Sequence, residues 1–203
     1  MRKGTIFALV GVPGTGKTTL GKGLAKKFSI EFLEEDWKRI PFFSKKRKKE
    51  PTAFEVCIGF LNLRYEQIQK AYALALQGKT VCIDTIFEMT NVYAELTLDA
   101  LEYREFKKVY DVYAKNVVTP DIYIHLTGKI SVIRQRALKR FLGIKNEETF
   151  LQENVLKKSE REIRMLLKGV TSKNVYSVDI VKEDVRTDIF LEDLFRKRLK
   201  ISV

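Results

Sequence analysis

Eight residues near the N-terminus, Gly11-Val12-Pro13-Gly14-Thr15-Gly16-Lys17-Thr18, fit the pattern G-x-x-x-x-G-K-[ST]. The flanks narrow what such a stretch can fold into. Residues 5–10, TIFALV, are a short apolar run of strand type. Residues 19–28 follow with Leu20, Leu24 and Phe28 spaced four apart on one helical face. A strand, a Gly-rich turn and a helix N-terminus make an anion site, because backbone N–H groups converge there and the helix dipole favours negative charge. The glycines let the backbone bend and approach a ligand closely. The cradle then comprises Gly11, Val12, Pro13, Gly14, Thr15, Gly16, Lys17, Thr18 and Thr19. Lys17 is placed to reach the β/γ-phosphates and the Thr18 hydroxyl to sit on a metal ion, so the implied ligands are ATP and Mg²⁺.

Strand and helix signals alternate through the rest of the chain. Short strands are predicted at 31–33, 80–84, 121–126 and 175–178, and helices at 52–77, 92–115, 131–141, 147–168 and 188–199. Thr52 can cap the first of these helices with Glu55 at the capping-box position, and Gly78 ends it. This alternation predicts an α/β fold, a five-stranded parallel sheet with helices on both faces. The length of 203 residues suits one domain. Ligands of such sheets bind beyond the carboxyl ends of the strands. The segments to inspect are therefore Glu34-Glu35-Asp36, Asp84-Thr85, the residues after Leu126, and Asp179 onward.

Composition narrows the partners. No stretch approaches the roughly 18 apolar residues of a membrane span. Met1-Arg2-Lys3 leads straight into the first strand, so no signal peptide is expected and the expected compartment is the cytosol. Cys57 and Cys82 lie in separate apolar segments and read as buried thiols. The net charge of +12 attracts polyanions. No zinc-finger spacing, RNA-recognition aromatic motif or long basic helix accompanies it, so a Lys-rich surface around a nucleotide site is preferred to nucleic-acid binding.

Phosphoryl transfer needs a phosphate cradle, a metal ion, cations for developing charge, and often a base. Asp84 ends a buried strand and joins Thr18 as a candidate Mg²⁺ ligand. Glu35 or Asp36, just past the second strand, can accept a proton from an acceptor hydroxyl. Arg136 and Arg140 are four apart on a basic helix and share a face, where they can clamp a transferring phosphoryl group. Arg64 lies mid-helix among apolar residues and wants a partner or an anionic ligand. Trp37 can wall a substrate pocket. His125, inside a strand, reads as structural.

The order of these parts resembles the deoxynucleoside kinase family, related in fold to thymidylate kinases, from Phe7 to Asp179. The segments FLEEDW, AFEVCIGFLNLRYEQI, IDTIFEMTNVYAEL, TPDIYIHL and RALKR carry the resemblance. It implies that Glu35 is the catalytic base, with Asp36 where the family has Pro. It implies that Arg136 and Arg140 belong to an Arg-containing lid over about 136–149, whose third arginine falls at Leu142. Ungapped, the family's Asp-Arg-Ser motif becomes Ile83-Asp84-Thr85, and a shift of one residue keeps Asp84 as the acid but supplies no Arg. The family's base-reading glutamine falls at Cys57 and its partner aspartate at Met89, while the nearby arginine is kept as Arg64. A homodimer through the long helices after the second and third strands is implied as well.

The reading is an ATP-dependent kinase that passes the γ-phosphoryl group to a hydroxyl of a small acceptor, a (deoxy)nucleoside. Lys17, Glu35, Arg136 and Arg140 are its catalytic residues, Trp37 and Arg64 its acceptor-site residues, and Thr18 and Asp84 its metal ligands. The nearest alternative is a nucleoside monophosphate kinase. Another is a nucleotide-binding protein with little kinase activity that associates with nucleic acid.

Overall fold

The computed structural model describes residues 4–41, 50–140, 151–170 and 174–201. Five strands, β1 (Ile6–Val10), β2 (Glu31–Leu33), β3 (Val81–Ile83), β4 (Ile122–Thr127) and β5 (Val175–Asp179), form one sheet in the order β2-β3-β1-β4-β5. Every pairing is parallel, as the alternating pattern predicts. All five residues of β1 are buried, which explains why this strand is a continuous apolar run with no alternation. Asp121 ties the strand starts together: its carboxylate accepts the Ile6 N–H at 2.7 Å, and its own N–H donates to the Ile6 carbonyl at 2.8 Å.

The helices are α1 (Lys17–Phe28), α2 (Ala53–Leu76), α3 (Met89–Thr97), α4 (Ala100–Ala114), α5 (Ile130–Arg140), α6 (Glu153–Lys168) and α7 (Asp188–Glu192). A π-helical segment, Asp193–Arg198, continues α7, and a 3₁₀ turn, Trp37–Arg39, follows β2. The capping box expected at Thr52 and Glu55 is present. Helix α1 begins two residues earlier than its apolar spacing suggests, because Lys17 and Thr18 of the loop already belong to its first turn. The helix expected from 147 starts at Glu153, and residues 147–150 lie outside the described residues.

The single helix expected over 92–115 is two helices. Leu98 is extended, and Asp99 caps α4 by accepting the N–H groups of Leu101 and Glu102. The Glu102 side chain returns the bond to the Asp99 N–H, which completes a second capping box. The break lets α3 and α4 both fold back on α2. There Cys57, Leu61, Phe87, Ala94, Phe106 and Tyr110 form a satellite core apart from the main one around the sheet.

His125 is structural, as its position in a strand suggests. Its Nε2 lies 3.2 Å from Glu160 Oε1 on α6, and Glu160 also accepts from Thr127 (2.8 Å) and Arg164 (2.9 Å). Burial alone would raise the Glu160 carboxyl; the bond and charge of His125, with Thr127 and Arg164, outweigh it and hold the group below its ordinary value. A carboxylate buried this well binds α6 to β4 only because it is fully paired.

The helix break generates a prediction. Asp99→Ala removes the acceptor for two N–H groups at the start of α4 and is expected to lower stability by about 1 kcal/mol in urea denaturation. An unchanged midpoint would show that this cap does not hold the α3–α4 corner.

Candidate active site

The site is built at the carboxyl ends of β1, β2 and β3. Beyond β1 the chain turns through residues 11–16. Gly14 and Gly16 have φ of 91° and 90°, a left-handed conformation that side chains with a Cβ rarely adopt. Gly14 is constrained a second way, because a Cβ there would lie 2.5 Å from the Ile133 carbonyl oxygen and 3.0 Å from the Ala137 Cβ. Helix α5 therefore packs directly on the phosphate-type loop. Val12 and Thr15 are fully buried, and the Thr15 hydroxyl donates to the Val12 carbonyl at 2.9 Å, so Thr15 shapes the turn. Pro13 is half-buried, and Thr19 is exposed on α1.

Lys17 folds back over the loop and donates to the carbonyls of Gly11 (2.8 Å) and Val12 (3.3 Å). Thr18 donates to Asp84 Oδ2 at 2.7 Å. This bond joins the start of α1 to the end of β3, 66 residues further on. Asp84 is 4% exposed, and its other oxygen, Oδ1, is buried with no hydrogen-bond partner. Burial raises the Asp84 carboxyl from 3.8 to about 6. Lys17 and Thr18 pull it down, and Glu35 and Glu34 push it further up. A buried carboxylate oxygen with no donor beside a hydroxyl is the chemistry that a hard cation satisfies.

Across from Asp84, Glu35 follows β2. Arg64 on α2 donates from Nε to Glu35 Oε1 at 2.6 Å and from Nη1 to the Thr90 hydroxyl at 3.0 Å. Arg64 is 6% exposed and Thr90 1%. The guanidinium lies 5.1 Å from the Phe60 ring centroid and 5.8 Å from that of Tyr93. Burial pushes the Tyr93 phenol up to about 12, so it is neutral at any working pH. Gln67, one turn along α2, donates to the Leu33 carbonyl at 2.7 Å and fixes the end of β2. The partner that Arg64 requires is thus the carboxylate expected to act as the base.

Met89 is buried in the main core, and the residue that meets Arg64 is Thr90. Asp84 is the acid at the end of β3. Thr85 follows it, 4% exposed, where the family motif has Arg. Cys57 packs in the satellite core with its thiol against the Thr97 hydroxyl at 3.8 Å, and burial raises that thiol above its ordinary value.

The remaining expected residues are more peripheral. Trp37 is half-buried and opens the 3₁₀ turn two residues past Glu35. Arg136 is exposed on α5, adjoining the Ala137 that touches Gly14, and its charge reaches Asp184 in the segment after β5. Arg140 ends α5, and its side chain, with lid residues 141–149, lies outside the described residues, as does the basic run 44–49. Sequence reasoning missed Thr90 and Tyr93, which look like ordinary helix residues until α3 is packed on α2.

The model of the deoxynucleoside kinase family matches residues 7–200. The chain belongs to the deoxynucleoside kinase family. It is 25% identical over 182 residues to a deoxyguanosine kinase of Bacillus subtilis (strain 168), covering 88% of both chains. It is 26% identical over 146 residues to a deoxyadenosine/deoxycytidine kinase of the same strain, covering 68% of this chain and 66% of that one. Among solved structures, a deoxyadenosine kinase from M. mycoides with bound dCTP superposes with a TM-score of 0.73 at 22% identity, covering 97% of this chain and 100% of that chain. The family members are phosphotransferases, and this member has their fold.

Asp84 supplies a prediction with a definite sign. Its folded pKa of about 6 lies above its ordinary 3.8, so the folded protein holds this proton to higher pH than the unfolded chain. The group's contribution to stability is full below 3.8, falls as pH rises, and is lost above about 6. Asp84→Asn removes the titration. In EDTA at pH 7.5 the variant is expected to be more stable than the parent by on the order of 1–3 kcal/mol, with the gap closing toward pH 4. Urea denaturation at both pH values checks this; equal midpoints at pH 7.5 would show that the buried carboxylate carries no such cost.

Proposed function

We propose that this family member transfers the γ-phosphoryl group of ATP to a hydroxyl of a deoxynucleoside. The observation that carries the reading is the pairing of two half-sites. A phosphate loop has Thr18 bonded to Asp84 on one side, and Glu35 stands on a buried arginine on the other. Donor phosphates fit the backbone of 11–16 and the N-terminus of α1. Lys17, which donates to two loop carbonyls, is placed beside the loop where β/γ-phosphate oxygens would lie. Thr18 and Asp84, with its unpartnered Oδ1, are the residues that would hold Mg²⁺, and the ion when bound neutralises phosphate charge.

Glu35 accepts the proton of the attacking hydroxyl as its oxygen bonds to the γ-phosphorus, the bond from that phosphorus to the bridging β,γ-oxygen breaks, and ADP leaves with the electron pair. Arg136, on the helix packed against Gly14, and Arg140 close over the transferring group. Trp37, just past the base, walls the acceptor side. Arg64 favours a nucleoside over a nucleoside monophosphate acceptor: its charge is already paired with Glu35, and a second donor is held by Thr90, so less of it is offered to an acceptor phosphate. Cys57 and Met89 are both buried in packing, so base selectivity by the family's hydrogen bonds is not expected.

Among the described residues no helix is long and apolar enough to cross a membrane, and both cysteines are free and buried, which suits the reducing cytosol. A homodimer is supported by Leu101, Val109 and Val112, which leave 60%, 39% and 62% of their surface exposed along α4.

A product assay tests the function. Incubation with ATP, Mg²⁺ and single nucleosides is expected to yield nucleoside monophosphates, and monophosphate acceptors are expected to stay unchanged. Turnover of monophosphates alone would overturn the reading. Lys17→Ala is expected to lower kcat by at least about 100-fold, because it removes the cation placed for the developing charge.

A further inference from the structure

Arg64 is a buried cation beside the site, and its surroundings define its role. Two nitrogens of the guanidinium are bonded to protein, and two aromatic rings flank it. Nε is bonded to Glu35 at 2.6 Å, Nη1 to Thr90 at 3.0 Å, and aromatic rings of Phe60 and Tyr93 lie within 6 Å of it. A fork held at two donors cannot swing without breaking both bonds. Glu35 by contrast keeps 21% of its side-chain surface exposed, and Arg64 occupies only its Oε1. Oε2 therefore remains for a proton. The residue after Asp84, where the family motif carries an arginine, is the buried Thr85, which cannot supply a charge.

We propose that Arg64 and Thr90 form a positioning pair for the base: Thr90 anchors the Arg64 guanidinium, and Arg64 sets the rotamer and distance of Glu35. Arg64 thus serves the carboxylate, and its charge is not offered to the acceptor's base. Thr90 touches neither donor nor acceptor and acts entirely through Arg64. Its hydroxyl is the acceptor that makes a buried guanidinium tolerable at this point of α2. The proposal rests on the nucleoside kinase reading above. A general base displaced by about 1 Å loses rate by roughly 100-fold, while substrate binding elsewhere is untouched.

The test compares Thr90→Val, which keeps the shape and removes the acceptor oxygen, with Thr90→Ser, which keeps the oxygen. Steady-state rates are measured on whichever nucleoside the parent phosphorylates, with ATP binding by thermal shift as a control on the donor half. Thr90→Val is expected to lower kcat by 10- to 100-fold, leave the acceptor KM within about threefold, and leave ATP binding unchanged. Thr90→Ser is expected to stay within about threefold of the parent. An unchanged kcat in Thr90→Val overturns the proposal. So does a raised acceptor KM at constant kcat, which would place the pair in acceptor binding. Should Thr90→Val fail to fold, Arg64→Lys replaces it: loss of the fork is expected to lower kcat at a steady KM, and a steady kcat overturns the proposal. If the parent phosphorylates no nucleoside, the underlying kinase reading fails, a result distinct from any of these.

Discussion

The Thr18–Asp84 hydrogen bond holds the donor site together. It spans the carboxyl ends of β1 and β3, neighbours in the middle of the sheet, and so fixes the first turn of α1 against a second strand. The phosphate-binding geometry of the loop depends on that helix start being immobile. Asp84 is nonetheless buried and half satisfied, and burial raises it to about 6 even though the Thr18 bond pulls the other way. A carboxylate left half satisfied in this way would gain from a bound cation, whereas one fully paired by protein donors would gain little. Function and stability oppose each other at this one residue.

Around that bond the donor half is rigid for steric reasons. Helix α5 approaches the loop so closely that Gly14 has no room for a side chain, and Gly16 must be left-handed where α1 begins. The loop is thus clamped between the sheet below and α5 above. Arg136 rides on the clamping helix, so any movement of α5 moves a cation relative to the phosphates. On the far side of the sheet strand β4, the buried His125–Glu160 contact fixes α6. The segment between α5 and α6 is therefore bounded by two anchored helices, one on the loop and one on the sheet.

What could be read from the sequence follows from how local each feature is. The loop at 11–18 was legible because its glycines, lysine and flanking periodicities are contiguous. The central strands β1 and β3 were legible because burial on both faces turns each into an apolar run. Asp84 was legible as an acid ending such a run. The α3–α4 corner was written in Asp99 and Glu102, a capping box hidden within a long apolar periodicity that read as one helix. The Arg64–Glu35 bond was not legible, since it joins residues 29 apart and depends on how α2 crosses the end of β2. Thr90 was missed for the same reason: Met89 faces the core and Thr90 faces Arg64, so one residue of helix rotation decides which side a side chain serves.

The acceptor half shows how a site can change its parts and keep its logic. Glu35 and Asp84 repel each other, and a fixed cation beside Glu35 offsets that repulsion. With Thr85 following Asp84, the next element able to provide one is α2, whose Arg64 reaches Glu35 from below. That reach requires the guanidinium to be buried, and burial in turn requires an acceptor and aromatic faces, which α3 and α2 supply as Thr90, Tyr93 and Phe60. Arg64 is thus tied to Glu35 and Thr90, and with Cys57 turned into the satellite core the side chains on this part of α2 hold Glu35 and pack α3 and α4.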